Sequence, residues 1–352
     1  MDLNSQALTT AGHLKDILYL TQEEMEEIEQ VRAYYPMRIT PYYASLIGPQ
    51  KGNSPIWLQS VPSMKELDNP AYFQDDPLNE EECSPVPYLT HKYTDRAAFY
   101  ACNSCFMYCR HCTRKNTVIK SRRVSHSQFE EILRYLERTP QIRDVLVTGG
   151  DPLTLEDGEL EYYISRLHSI PHVQTLRIGT RAPVAEPSRI TGRLADTLSK
   201  YHPLWINTHF NHPDEVTPEA AEACNILLSR GIPLGNQTVL LKGVNDNIDI
   251  MEELVLKLIH IRVRPYYIYQ CDQVRGTAHF HTRYQLGMEI IQQLRTRVSG
   301  YAVPRFVIDV PGVHGGKVTM EYNNLLRDEG DKLILRGWDG AAVNYINGGQ
   351  IE

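Results

Sequence analysis

The chain has 352 residues, 42% apolar and 22% charged, with 36 Lys and Arg against 43 Asp and Glu, a net charge of −7. These ordinary fractions exclude a disordered or collagen-like chain. The acidic balance runs against a dedicated nucleic-acid binder, and no stretch approaches the length of a membrane-spanning apolar run. The length fits about two domains, or a single α/β barrel with appendages. Met1–Thr10 carries neither a basic nor an apolar segment, so no signal peptide is expected and the setting is read as cytoplasmic. Seven cysteines, an odd count in a reducing setting, do not make a disulfide framework.

Residues 1–90 read as helical and irregular, with Thr21 and Glu24 at the positions of a capping box. A surface connection rich in Pro, Asp and Glu spans Asn69–Tyr88. Seven short apolar or aromatic runs then follow: Ala97–Ala101, Asp144–Thr148, Thr175–Gly179, Leu204–Phe210, Asn236–Leu241, Tyr266–Gln270 and Arg305–Ile308. Continuous apolar runs of this length are the pattern of buried parallel strands. Helical stretches separate them. Ser125 and Gln128 form a capping box ahead of Phe129, Ile132, Leu133 and Leu136, spaced for one helix face. Thr217-Pro218 starts another helix and Gly231 stops it. Strand–helix alternation predicts parallel βα units. Six or seven of them point to a full or partial barrel, with a doubly wound sheet as the alternative.

Either architecture places its site at the C-terminal strand ends. There the sequence carries Cys102–Cys112, Gly149-Gly150-Asp151, Asn207-Thr208-His209, Cys271-Asp272, and Asp309 with the Gly-rich stretch to Lys317. Cys105, Cys109 and Cys112 form C-x3-C-x2-C. Three thiolates in one loop can hold an iron–sulfur cluster and leave one iron open. A zinc knuckle would need a second ligand pair at suitable spacing, and none lies nearby. Cys102 is read as a bystander, although C-x2-C with Cys105 would allow a fourth ligand. Cys83, Cys224 and Cys271 read as structural, and His111 as a loop residue. Gly149-Gly150 lets backbone approach a ligand, or makes a tight turn capped by Asp151. Pro311–Lys317 is not a P-loop, since Pro311 and Val318 stand where that motif needs Gly and Ser or Thr. A lysine in such a loop is either a nucleophilic amine or simply solvated.

The segment Cys105–Cys112 resembles the signature of the radical S-adenosylmethionine (SAM) enzymes. The longer stretch Cys105-Phe-Met-Tyr-Cys-Arg-His-Cys-Thr-Arg114 is similar to the lysine 2,3-aminomutase family. So are Arg38–Tyr43, Ser84–Pro87, Thr90–Tyr93, Asn207–Pro213, Gly235–Gln237, Gly243–Asp246 and Arg262–Asp272, so that the likeness covers roughly residues 20–340.

This resemblance implies a partial (β/α)6 barrel. Residues 1–90 would form a helical N-terminal segment, 91–285 the barrel and 286–352 a C-terminal segment. It implies a [4Fe-4S] cluster on Cys105, Cys109 and Cys112, and SAM at Gly149, Gly150, Asp151, His209 and Gln237. Pyridoxal phosphate (PLP) would be carried by Lys317 and contacted by Lys92, Tyr93 and Arg96. Arg114 would take the substrate α-carboxylate, and Asp272 and Asp309 a cationic side chain. Two carboxylates in one pocket select a cation, because either buried alone costs several kcal/mol.

Three departures from the family pattern stand out. Val313-His314 interrupts and lengthens a glycine run, Lys92 stands where close relatives have Arg, and Asn247 stands where longer members carry a zinc-binding cysteine. No structural zinc is therefore expected. The implied activity is movement of the α-amino group of a basic amino acid to C3, first of all L-lysine to β-lysine. Arginine 2,3-aminomutase, a protein-lysyl-modifying relative, and a non-catalytic iron–sulfur or zinc protein are the alternatives. The implied partners are an amino acid and an electron donor, with neither nucleic acid nor membrane, in a homo-oligomer.

Overall fold

Residues 7–48, 51–116, 124–321, 324–330, 332–337 and 340–346 are described by this computed structural model. The N-terminal segment carries helices α1 (Ala11–Leu18), α2 (Gln22–Arg32), α3 (Pro41–Ser45) and α4 (Pro55–Ser60). Thr21 and Glu24 cap α2 reciprocally, as their spacing predicts. Proline opens α3 and α4, where its missing N–H costs nothing. Leu14, Ile28, Met37, Tyr43 and Ile56 share one apolar core with the strands that follow.

Nine strands form one sheet whose spatial order equals their chain order. They are β1 (Leu89–Tyr93), β2 (Arg96–Cys102), β3 (Asp144–Gly149), β4 (Thr175–Gly179), β5 (Leu204–Thr208), β6 (Leu234–Leu240), β7 (Arg264–Gln270), β8 (Arg305–Val310) and β9 (Gly316–Met320). β2 to β8 run parallel. β1 and β9 are antiparallel to their neighbours and form the two edges.

Helices connect the parallel strands: α5 (His126–Glu137), α6 (Asp157–His168), α7 (Ala182–Ala185) with α8 (Gly192–Leu198), α9 (Pro218–Leu228), α10 (Ile248–His260) and α11 (Tyr284–Arg297). Six strand–helix units, β2 through α11, make the partial (β/α)6 barrel, and β8 prolongs it. Phe129, Ile132, Leu133 and Leu136 of α5 are buried, as their spacing requires.

Side chains bridge the seam between the edges. The Tyr93 hydroxyl accepts from the Lys317 backbone N–H at 2.9 Å, and Lys92 Nζ donates to the Gly312 carbonyl at 2.8 Å. A small antiparallel sheet of β10 (Leu325–Asp328), β11 (Lys332–Arg336) and β12 (Ala342–Ile346) ends the described chain. The boundaries expected at 90/91 and 285/286 fall inside β1 and α11. Among the described residues no helix is long and apolar enough to cross a membrane.

A buried charge triad ties the N-terminal segment to the barrel. The Glu66 carboxylate accepts from Arg110 Nε at 2.9 Å, from Arg110 Nη2 at 2.5 Å and from Lys115 Nζ at 2.5 Å. All three side chains are almost wholly buried. Arg110 also donates to the carbonyls of Pro36 and Tyr35, and Lys115 to that of Gly276. Glu66→Ala would strand two buried cations. We expect it to lower the unfolding free energy by about 3–5 kcal/mol, read by urea denaturation of the cofactor-free protein. A loss under about 1 kcal/mol, the worth of a surface pair, would deny the triad that role.

Candidate active site

The loop after β2 brings Cys105, Cys109 and Cys112 to the wall of one cavity of ≈ 200 Å³, shared with Gly149, Gly150, Asp151, Arg181 and His209. Backbone bonds hold the loop in place. Tyr108 N donates to Arg38 O at 2.9 Å and Arg110 N to Gln59 O at 2.9 Å, while Gly150 N and Asp151 N donate to Cys102 O and Ser104 O. Cys102 is buried, and its thiol donates to the Asp151 carbonyl at 3.2 Å. Among the described residues no three Cys, His, Asp or Glu converge on one ion position. A cubane does not ask for that, because each thiolate binds a different iron.

The two glycines sit in the tight turn, capped by Asp151, that was one of the two sequence readings. A Cβ on Gly149, at φ +127°, would lie 2.3 Å from Cys102 O, and one on Gly150 would lie 2.1 Å from Ser104 O. The close approach is to the cysteine loop's own backbone. Asp151 likewise spends its carboxylate on the protein, accepting from Leu153 N, Thr180 Oγ1 and Arg181 N at 2.7–3.0 Å. It caps the turn after β3 and fastens it to the end of β4.

His209 follows the end of β5, and Gln237 lies in the middle of β6 rather than at its end, with His209 Nδ1 3.1 Å from Gln237 O. That contact sets Nδ1 as the donor and leaves Nε2 as an acceptor. Burial, followed by the Arg181 charge, lowers the His209 pKa to about 4, so the ring is neutral at pH 7. Gln237 donates to the Tyr269 hydroxyl at 3.3 Å. His111 is also buried in the cavity wall, 3.3 Å from Asn211 Nδ2.

Lys317 does not sit in a loop. It lies on β9, in register with Asp309 of β8. Its Nζ is 2.8 Å from Asp309 Oδ2, with the Tyr93 and Tyr269 rings 5.9 and 5.6 Å away. The preceding Gly316 has φ +119°, and a Cβ there would fall 2.7 Å from the Tyr93 hydroxyl. Glycine is what lets β9 close on Tyr93. Arg96 stacks over the other end of this group, 4.0 Å from the Tyr93 ring centroid, and pairs with Asp95. Lys92 turns instead to the carbonyls of Leu78 and Gly312, clamping the hairpin between β8 and β9.

Arg114 meets a partner the sequence did not announce. Glu80 accepts from its Nε and Nη2 at 2.8 and 2.7 Å, and the guanidinium stacks 4.5 Å from the Tyr100 ring. Asp272 accepts from Thr113 Oγ1 at 2.6 Å. Burial pushes its carboxyl up to about 7; the Thr113 bond opposes the rise and the Asp309 charge adds to it. Asp272 and Asp309 line a second cavity of ≈ 350 Å³ with Pro77, Leu78, Thr282 and Pro311.

Comparison with known proteins fits this geometry. The Radical SAM superfamily model matches residues 100–255, and the Lysine-2,3-aminomutase model matches residues 291–351. The L-lysine 2,3-aminomutase of Clostridium subterminale is 48% identical over 96% of this chain and 81% of its own, and that of Bacillus subtilis 47% over 97% and 72%. The chain belongs to the lysine 2,3-aminomutase family of radical SAM enzymes. The glutamate 2,3-aminomutase of Clostridioides difficile, a more distant member, is 43% identical over 96% of this chain and 80% of its own.

Family membership brings a [4Fe-4S] cluster, SAM and PLP. The residues present fit all three. The thiol wall suits iron. Buried Arg181 Nε and His111 Nδ1 have no hydrogen-bond partner in the protein and lie among the lining residues, as a polar guest such as SAM requires. A lysine amine flanked by aromatic rings and Arg96 suits PLP. At the zinc position of longer family members, Asn247 caps α10 by accepting from Asp249 N; residues 347–352, the last of the tail, lie outside the described set.

Glu66, Glu80, Arg181 and Glu215 were not legible beforehand, since each acts through a partner more than 30 residues away. Gly150→Ala is expected to cut the iron and sulfide bound after anaerobic reconstitution by more than half, while Gly158→Ala, with open space around its Cβ, loads normally. Full loading of Gly150→Ala would refute the tight approach.

Proposed function

We propose that this enzyme moves the α-amino group of a cationic amino acid, L-lysine above all, to C3. The observation that carries the proposal is the pair Asp272 and Asp309, two carboxylates on one cavity wall beside Lys317. The names of the relatives, L-lysine 2,3-aminomutase in two organisms at nearly half identity, support it. When bound, the cluster and SAM supply a carbon radical able to take hydrogen from an unactivated C–H bond, and PLP supplies the carbonyl that carries the migrating amine.

The protein's part is binding, orientation and exclusion of water. Cys105, Cys109 and Cys112 hold the cluster. Gly149 and Gly150 press the cysteine loop into place, Asp151 braces it, and neutral His209 offers Nε2, with Gln237 beside it, to SAM. Lys317 provides the amine for PLP, Tyr93 and Arg96 face that cofactor, and Lys92 holds the hairpin on which Lys317 is carried. Arg114 binds the substrate α-carboxylate through its guanidinium, with Glu80 and Tyr100 fixing its plane. Asp272 and Asp309 take the distal ammonium. An external electron donor, a homo-oligomeric state and the reducing cytoplasm complete the proposal.

Anaerobic incubation of the reconstituted enzyme with SAM, PLP and dithionite, separately with lysine, arginine and glutamate, tests the substrate. β-Lysine is the expected product, and β-arginine without β-lysine would overturn the choice.

Asp272 gives a pH signature. Its carboxyl, raised to about 7, is protonated below that pH and cannot pair with an ammonium. The kcat/KM for lysine should therefore climb as pH rises through about 7 and level off above it. Asp272→Asn should raise KM at least tenfold, about 1.4 kcal/mol of lost pairing, and abolish the acid limb. A limb that survives in Asp272→Asn belongs to another group.

A further inference from the structure

Cys109 has a neighbour that the binding roles above do not use. Arg181, just past the end of β4, points Nη1 at Cys109 Sγ over 2.8 Å. Its Nη2 bonds to Glu215 Oε1 at 2.6 Å and to Gln59 Oε1 at 2.7 Å. Glu215 is fully buried and also accepts from the Tyr43 hydroxyl and from the backbone N–H groups of Asn211 and His212. Arg181 itself is nearly buried. The three residues come from the cysteine loop, the end of β4 and the turn after β5, so the barrel itself sets the contact.

We propose that Arg181, balanced by Glu215, sets the reduction potential of the iron–sulfur cluster through its hydrogen bond to the Cys109 sulfur. The inference rests on the reading of Cys109 as a cluster ligand. The physics is electrostatic. One electron enters the cluster on reduction, and the added negative charge spreads onto the thiolate sulfurs. A cationic donor on one of those sulfurs stabilises the reduced form, and hydrogen bonds to cluster sulfurs are among the determinants of potential. Burial strengthens the effect, because little water screens it. Glu215 acts in the opposite sense by neutralising the guanidinium. The pair is therefore a setting with two levers that move the potential in opposite directions. Removing the cation should make the cluster harder to reduce, and removing the anion easier.

The test uses full-length enzyme reconstituted anaerobically, with iron and sulfide counted per chain. Potentiometric titration with dithionite, followed by electron paramagnetic resonance of the reduced cluster without SAM, gives the midpoint. Arg181→Met should shift it negative and Glu215→Gln positive, while Arg181→Lys, which keeps the charge, should lie nearer the wild type than Arg181→Met. A purely structural role would lower cluster content in the variants without moving the midpoint in opposite senses. An unchanged midpoint in fully loaded Arg181→Met, or shifts of the same sign in Arg181→Met and Glu215→Gln, overturns the proposal. Where Arg181→Met takes up no iron, Glu215→Gln decides: a positive shift supports the proposal, and none or a negative one overturns it. Cys109→Ala separates the underlying reading. Loss of bound iron upholds Cys109 as a ligand, and full retention removes that assignment and the proposal with it.

Discussion

Five charged side chains buried around one loop hold this molecule's chemistry in place. Glu66, Arg110 and Lys115 make one set at the cysteine loop, and Arg181 and Glu215 a second. A lone buried ion costs several kcal/mol, so each set persists only because its members are paired and their remaining donors find carbonyls. The two sets differ in balance. Arg181 and Glu215 cancel, whereas Glu66 faces two cations. Burial lowers the Lys115 pKa to about 8, and the nearby Arg110 charge lowers it further while Glu66 opposes both. The surplus is positive. Burial raises the Cys112 thiol pKa to about 11, and the Arg114 and Lys115 charges oppose that rise.

The same loop links the two halves of the site. Cys112, Thr113 and Arg114 are consecutive, yet each serves a different centre. Cys112 faces the cluster cavity, Thr113 donates to Asp272 at the end of β7, and Arg114 pairs with Glu80 ahead of β1. A shift of this short segment would move cluster, carboxylate pair and guanidinium together. Chemistry in which a carbon radical takes hydrogen from a substrate carbon needs its reacting groups within contact distance, and a single rigid strip of backbone is a direct way to hold them so. The incomplete barrel supplies the rest. Its seam between β1 and β9 is closed by Tyr93 and Lys92, so the lysine sits at a gap that a complete ladder would have filled.

The parallel strands were readable as short apolar or aromatic runs, each of which overlaps an observed strand, although burial along β2, β4 and β6 alternates rather than covering both faces. The edge strands were not. β1 carries Thr90, His91 and Lys92, and β9 begins in glycine and is largely exposed, so neither shows an apolar period. For that reason Lys317 was expected in a loop. The cysteine triplet was legible from type and spacing, whereas the Asp pair was legible only through resemblance to the family. Gly149 and Gly150 were legible as a motif, but their cause, contact with Cys102 and Ser104, is a tertiary fact. Glu66, Glu80 and Glu215 gave no local signal, because an acidic residue in a loop looks the same whether it is solvated or buried against an arginine brought from elsewhere.

The pairing of Lys317 with Asp309 gives the site an order of events. The Lys317 amine pairs with the carboxylate proposed for the substrate's ammonium. A cationic substrate would have to displace Lys317 and leave an ammonium without its partner. On the proposed assignment of Lys317 to PLP, the amine would turn from Asp309 and open that carboxylate beside Asp272. Two neighbouring carboxylates without a cation repel, which is the condition that favours an incoming ammonium most strongly. On these assignments cofactor and substrate would be coupled through Asp309. By linkage the coupling runs both ways: what PLP does for the affinity of the amino acid, the amino acid does for the retention of PLP.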